Sequence, residues 1–162
     1  MSEKPKIYIE TSVISYLVAR PSKDLIVAAH QQITYDWWHD ELPKMAPHVS
    51  EFVYYEAARG DNNLAQRRLN LIKDFEFIEK NTITEDLADE YLQETKLPEK
   101  CRLDCLHMAI ASIYGMKYMA SWNCKHIVNG VITDKISEVN NSYGISTPNI
   151  RTPEELYGVD NG

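Results

Sequence analysis

Lys6-Ile7-Tyr8-Ile9-Glu10-Thr11-Ser12-Val13 carries the chain from an apolar run into a carboxylate and then two hydroxyl residues. Lys6–Ile9 reads as a short buried strand, because it is apolar and rich in isoleucine, and Glu10 ends it. Thr11 or Ser12 is the expected cap of a helix over 13–19, which Pro21 stops. Ser22 or Asp24 opens a longer helix whose Leu25, Ala29, Ile33 and Trp37 recur every four residues, with Ile26 beside them in one apolar stripe, and which ends before Pro43. A second strand is expected over 45–48, with Pro47 marking an edge or a strand end.

The same alternation continues downstream. Ser50 caps a helix over 51–59, and Gly60 is its natural stop. Asp61 caps a helix carrying Leu64, Leu69 and Ile72, and residues 75–78 form a short strand. Thr84 caps a helix over 85–95 with Leu87 and Tyr91 on one face, and Pro98 breaks the chain. The strongest helical pattern covers 102–114, where Leu103, Leu106, Ala109, Ile110 and Ile113 form a wide apolar stripe. A buried strand over 117–122 follows, then a short helix over 125–129, a helix over 134–141 and an extended piece over 145–148. Strands alternating with helices in this way predict an α/β fold, with a central, mainly parallel sheet in a three-layer α/β/α arrangement.

At 162 residues and 18.7 kDa the chain fits one domain, 1–162, and needs no disulfide or metal to fold. No apolar run is long enough to span a membrane, and no apolar stretch precedes Ile7 as a signal peptide would, so a cytoplasmic protein is expected. Three cysteines, Cys101, Cys105 and Cys124, without a C-x-x-C pair, argue against a disulfide framework. A zinc site drawing on these with His107 and His126 is set aside in favour of small buried hydrophobes, because the spacing fits none of the usual ligand patterns. The net charge of −7 counts against tight, non-specific DNA binding. It is compatible with acids gathered around a cation.

In open parallel sheets ligands bind at the carboxyl ends of the strands. Glu10 ends the first strand, Glu56 lies on the helix after the second, Asp104 opens the strongest helix, and Asn123 ends the strand that follows. Each has an ordinary alternative: a strand end for Glu10, a solvated helix position for Glu56, dipole compensation for Asp104, and a turn for Asn123. Asp104 and Glu10 nevertheless adjoin apolar segments. Several partly desolvated carboxylates brought together ionise only with a cation present, and oxygen donors favour Mg²⁺ or Mn²⁺.

Four blocks in order carry a resemblance. Residues 7–13, the stretch Ser50-Glu51-Phe52-Val53-Tyr54-Tyr55-Glu56 with Gly60-Asp61 and Arg67-Arg68-Leu69 after it, Asp104-Cys105-Leu106-His107-Met108-Ala109 through Gly115, and Ser121-Trp122-Asn123 are similar to PIN-domain proteins, especially toxin ribonucleases of the VapC type. Thr152-Pro153-Glu154-Glu155-Leu156 resembles a common ending of that family. The resemblance implies a PIN-like fold and metal-dependent endonuclease cleavage of single-stranded RNA. Glu10, Glu56 and Asp104 would be the metal-binding acids, and Asn123 would complete the catalytic set. Thr11 or Ser12 would orient Glu10 or the metal's water. It further implies a homodimer and an antitoxin protein as partner. The chain departs from the family pattern in having Glu10 where aspartate is usual, a neutral Asn123, and His126 where many relatives carry an aspartate. The competing expectation is therefore a catalytically idle PIN-like module that binds RNA or a protein.

Arg20, Arg59 and Lys125, with Arg67 and Arg68, are the candidate RNA contacts, and Trp37, Trp38 and Trp122 are candidates for base stacking, Trp37 being the one that its stripe assigns to a core or dimer contact. A small-molecule phosphatase or nucleotidase ranks last, because the six glycines form no phosphate-cradling loop.

Overall fold

A computed structural model describes residues 3–158. β1 (Lys6–Ile9) lies at the centre of a five-stranded sheet with β2 (Ala46–Ser50), β3 (Glu76–Ile78), β4 (Tyr118–Ala120) and β5 (Asn149–Arg151). The order is β3-β2-β1-β4-β5, and every pairing is parallel. Ile7, Tyr8 and Ile9 are all fully buried, as a strand covered on both faces requires. Among the described residues seven α-helices connect the strands, α1 (Thr11–Val18), α2 (Leu25–Asp40), α3 (Glu51–Ala57), α4 (Asn62–Ile72), α5 (Thr82–Thr95), α6 (Arg102–Ile113) and α7 (Gly130–Ser142), and α8 (Pro153–Leu156) follows the last strand. α1 packs on α2, α3 and α4 with α8 against α2, α5 packs on α6 and α7, and α3 touches α6. This is the expected three-layer α/β/α arrangement, with a sheet that is wholly rather than mainly parallel.

Strand order fixes where a site can form. The chain leaves β1 toward β2 on one side and leaves β4 toward β5 on the other. The carboxyl ends of β1 and β4 therefore flank the point where the winding reverses, the place where open parallel sheets hold their ligands. Glu10 follows β1, and Ser121, Trp122 and Asn123 follow β4. The backbone N–H of Glu10 donates to the Ala120 carbonyl at 3.0 Å, which holds the two strand ends together.

Several expectations are corrected. The cap of α1 is Glu10 itself, whose carboxylate accepts from the Ser12 N–H, so the helix begins at Thr11 rather than after a Thr or Ser cap. α5 starts at Thr82, because Asn81 and Thr84 form a reciprocal capping box. Residues 125–129 hold turns and a bend rather than a helix, and α7 starts four residues earlier than expected, at Gly130, where the Asn129 side chain caps it. The last strand is 149–151 rather than 145–148. β4 places Tyr118 beside Asn149, and that pairing determines the strand.

The stripe expected along α2 is only half a stripe. Trp37 is fully buried, but Leu25 and Ile26 are 85% and 70% exposed and Ala29 is exposed, because the first turns of α2 stand clear of the sheet. Trp122 is core rather than a base-stacking platform. Its indole N–H donates to Thr34 Oγ1 at 2.7 Å, and its ring stacks on His30 and Tyr16. Trp37 is likewise enclosed, and Trp38 packs against Phe75.

Candidate metal centre

Glu10 is buried, with 5% of its surface exposed, at the N-terminus of α1. Its Oε1 accepts from Ser12 Oγ at 2.5 Å and from Ser121 Oγ at 2.6 Å, and its Oε2 accepts from the Ser12 backbone N–H at 3.2 Å. Ser12 Oγ in turn accepts from the Trp122 N–H at 2.8 Å, and Ser121 Oγ from the Asn123 N–H at 3.0 Å. Two hydroxyls thus join β1, α1 and the end of β4 around one carboxylate, next to the positive end of a helix dipole. Sequence reasoning did not single out Ser121. Its signal is its place one residue beyond the strand that pairs with β1.

Glu56 projects from α3 into the same rim. Its Oε1 accepts from Thr11 Oγ1 at 2.7 Å and from His107 Nε2 at 2.5 Å. Thr11 therefore holds Glu56, and Ser12 holds Glu10; the expectation that either one would serve Glu10 divides between two acids. Behind His107 runs a buried relay. His107 Nδ1 lies 2.6 Å from the Tyr8 hydroxyl, which lies 2.7 Å from Ser50 Oγ. Tyr8, Ser50 and His107 are all fully buried.

Sequence reasoning missed this relay as a functional unit. Two signals point to it. A tyrosine inside a fully buried strand must find a partner for its hydroxyl, and His107 stands three residues after Asp104, on a neighbouring face of α6.

Asp104 lies in the first turn of α6 with 21% of its side chain exposed. Asn123 Nδ2 donates to its Oδ1 at 3.3 Å, and His126 Nδ1 stands 3.3 Å from its Oδ2. Asn123 Oδ1 also accepts from the His126 backbone N–H at 3.0 Å, so one amide fixes both the acid and the loop that carries the histidine.

The electrostatics follow from crowding. Burial, and then the negative charge of Glu10, push the Asp104 carboxyl above the usual carboxylate range, with His107 and His126 opposing. Burial pushes Glu56 up as well, but the hydrogen bond and positive charge of His107, with Thr11 and Arg59 assisting, outweigh it and leave Glu56 lowered. For His107, burial favours the neutral ring, yet Glu56 beside it and Glu10 and Asp104 nearby raise its pKa overall.

Among the described residues, two groups bring one donor atom from each member within 4.8 Å of the others: Glu10 with Glu56 and His107, and Asp104 with Cys101 and His126. The three acids share one rim, and Asp104 feels both glutamates, but they do not close into a single tight triad by themselves. The donor set suits a hard divalent cation. Glu10 and Glu56 bring carboxylate oxygens within 4.8 Å of each other, close enough for one cation to be held between them. His107 Nε2 is taken by Glu56, so the available ligands are carboxylate oxygens.

The candidate RNA contacts separate. Arg59, at the end of α3, stacks over the Tyr55 ring at 5.5 Å and remains exposed. Lys125 is exposed in the loop that carries His126. Arg20 is exposed beyond the far end of α1, on the order of 12 Å from Glu10 for an eight-residue helix. Arg67 is exposed on α4. Arg68 is structural: its guanidinium donates to the Ala57 carbonyl at 3.0 Å and the Arg59 carbonyl at 2.5 Å, closing the end of α3.

No protein-family model matches the sequence, and no curated protein matches it. The structure is similar to the crystal structure of VapBC2 from Rickettsia felis bound to a DNA fragment from their promoter. The TM-score is 0.50 at 12% sequence identity, covering 91% of this chain and 98% of that one. A likeness at this identity speaks to architecture, and the architecture is PIN-like: five parallel strands flanked by helices.

Proposed function

We propose that the protein is a metal-dependent endoribonuclease that cleaves single-stranded RNA, acting as the toxin of a type II toxin–antitoxin pair. The observation that carries this reading is convergence. Glu10, Glu56 and Asp104, which are 46 and 48 residues apart in turn, meet at the carboxyl rim of a PIN-like sheet, where burial first and the negative charge of Glu10 second raise the Asp104 carboxyl. Mg²⁺ or Mn²⁺ held there would supply an activated water and offset charge on the leaving oxygen of a phosphodiester. The residues themselves supply the frame: Ser12 and Ser121 orient Glu10, Thr11 and His107 orient Glu56, and Asn123 orients Asp104. Arg59 and Lys125 flank the rim and are the better-placed contacts for an RNA backbone, with Arg20 more remote.

The test is cleavage of single-stranded RNA by the purified chain with Mg²⁺ or Mn²⁺. Wild type should cut, EDTA should stop it, and Asp104→Asn should lower the rate by about a hundredfold or more, as removing part of a Lewis-acid contribution of several kcal/mol requires. Equal rates for wild type and Asp104→Asn would end the catalytic role.

A second reading, an idle PIN-like module that binds RNA or a protein partner, is favoured by specific contacts. Glu10 already spends three acceptor sites on Ser12 and Ser121, and Asn123 and His126 are not acids. Absence of measurable Mn²⁺ binding by calorimetry would select it. The exposed Leu25 and Ile26 support a homodimer or antitoxin contact through the start of α2. No helix among the described residues is long and apolar enough to cross a membrane, in keeping with the proposed cytoplasmic site of action.

A further inference from the structure

We propose that Cys101, Asp104 and His126 form a second metal position, one that takes a borderline-soft transition ion such as Zn²⁺ or Co²⁺ in preference to Mg²⁺. The cysteine sulfur, one carboxylate oxygen and one imidazole nitrogen lie within 4.8 Å of one another. Cys101 immediately precedes α6 and Asp104 lies three residues on, so both face the same side of the helix start, and His126 reaches them from the loop after β4.

The spacing of the histidine and the aspartate matches a tetrahedral ion, with the cysteine sulfur within 4.8 Å of both. With metal–nitrogen and metal–oxygen bonds of about 2.0–2.1 Å, two ligands at the tetrahedral angle stand about 3.3 Å apart. His126 Nδ1 stands 3.3 Å from Asp104 Oδ2, at ion-pair distance with no hydrogen bond between them. Asn123 supplies the outer support that metal ligands ordinarily need. It donates to the other Asp104 oxygen and accepts from the His126 backbone, so Oδ2 and the ring are left facing each other.

Donor chemistry separates this position from the carboxylate rim. Thiolate and imidazole favour Zn²⁺ and Co²⁺, while carboxylates alone favour Mg²⁺ and Mn²⁺. Cys101 is a free thiol with 1% of its surface exposed, and on binding it would lose its proton to solvent as the metal–sulfur bond forms. Three protein ligands leave a fourth position for a water or a phosphate oxygen, as in catalytic rather than structural zinc sites. This inference requires only that the three donors meet. It does not depend on the ribonuclease reading, although Asp104 belongs to both.

The full chain titrated with Co²⁺ tests it. Wild type should bind one equivalent with a thiolate-to-cobalt charge-transfer band and the intense visible bands of tetrahedral coordination, and Zn²⁺ should displace it. Cys101→Ser should lose the charge-transfer band and bind at least tenfold more weakly. His126→Gln, a change in a partly exposed loop that leaves the core untouched, should also weaken binding at least tenfold. Cys124→Ser, which alters an exposed thiol outside the cluster, should leave spectrum and affinity unchanged. Cobalt bound without a thiolate band, or with an affinity that neither Cys101→Ser nor His126→Gln alters, overturns the proposal. Failure of Mn²⁺-dependent RNA cleavage, measured separately, would remove the nuclease reading and leave this one standing.

Discussion

Glu10 occupies a helix-capping position where shorter side chains are usual, since the cap must fold back on its own backbone. Its extra methylene lets one carboxylate cap α1 through the Ser12 N–H and still meet Ser121 across the sheet. Glu10→Asp should keep the cap, lose the Ser121 contact and weaken Mn²⁺ binding by about tenfold, as loss of ligand-orienting bonds does; calorimetry on the two proteins checks this. Unchanged affinity would show that the Ser121 contact does not position the acid.

The His107–Glu56 pair makes a prediction about pH in the metal-free protein. Folding raises the His107 pKa, so its contribution is fully present below the unfolded value of about 6.5 and is lost as pH rises through the folded one. Folding lowers the Glu56 pKa, so its contribution is present above the unfolded value of about 4.3 and is lost as pH falls through the folded one. The pair therefore stabilises most between those two unfolded values. Denaturant titrations of wild type and His107→Gln should differ most near pH 5–6, and the gap should narrow above neutrality. A gap that stays constant with pH would mean the histidine acts through packing alone. Tyr8→Phe removes the hydroxyl that links Ser50 to His107 and should cost about 1–3 kcal/mol for the buried groups left unpaired, read from the same titrations.

Elements were legible in the sequence to the extent that local chemistry fixed them. β1, the start of α2 at Asp24, the start of α3 at Ser50 and the start of α4 at Asp61 follow from apolar runs and capping side chains that act within three residues. Local chemistry stops deciding where a choice depends on partners far along the chain. β5 is defined by pairing with β4, whereas the turn expected at Asn123 is found, its side chain accepting from the His126 N–H three residues on. The beginning of α2 looked like a core stripe because spacing alone cannot say how far a helix extends past the sheet it packs on. Capping strength is testable at α5. Asn81→Ala removes the side-chain acceptor of the Thr84 N–H and should lower stability by about 1 kcal/mol, while helical content measured by circular dichroism should hold at low temperature.

For the molecule as a whole, the parallel order β3-β2-β1-β4-β5 explains why acids scattered over nearly a hundred residues share a rim: it places the ends of β1 and β4 side by side. That convergence was expected from strand-end positions, and Glu10, Glu56, Asp104 and Asn123 do gather there. The relay through Tyr8, Ser50 and His107 is not legible, because it depends on which face of α6 turns inward; a zinc site with Cys101 and His126 is set aside on spacing alone, which cannot show Asp104 meeting them.

A chain of net charge −7 can hold RNA only through local cations. Arg59→Ala and Lys125→Ala should each weaken single-stranded RNA binding and flatten its log–log salt dependence by about 0.7. Arg68→Ala should instead lower stability, because its guanidinium closes α3. Filter binding over a salt series, beside thermal unfolding, separates the two effects.

A crystal soaked in Mn²⁺ and measured at the manganese edge addresses the metal centre directly. An anomalous peak bonded to carboxylate oxygens of Glu10, Glu56 and Asp104, and lost in Asp104→Asn, is the result expected. An anomalous map with no peak at that rim, or with manganese bound only elsewhere on the surface, would contradict it.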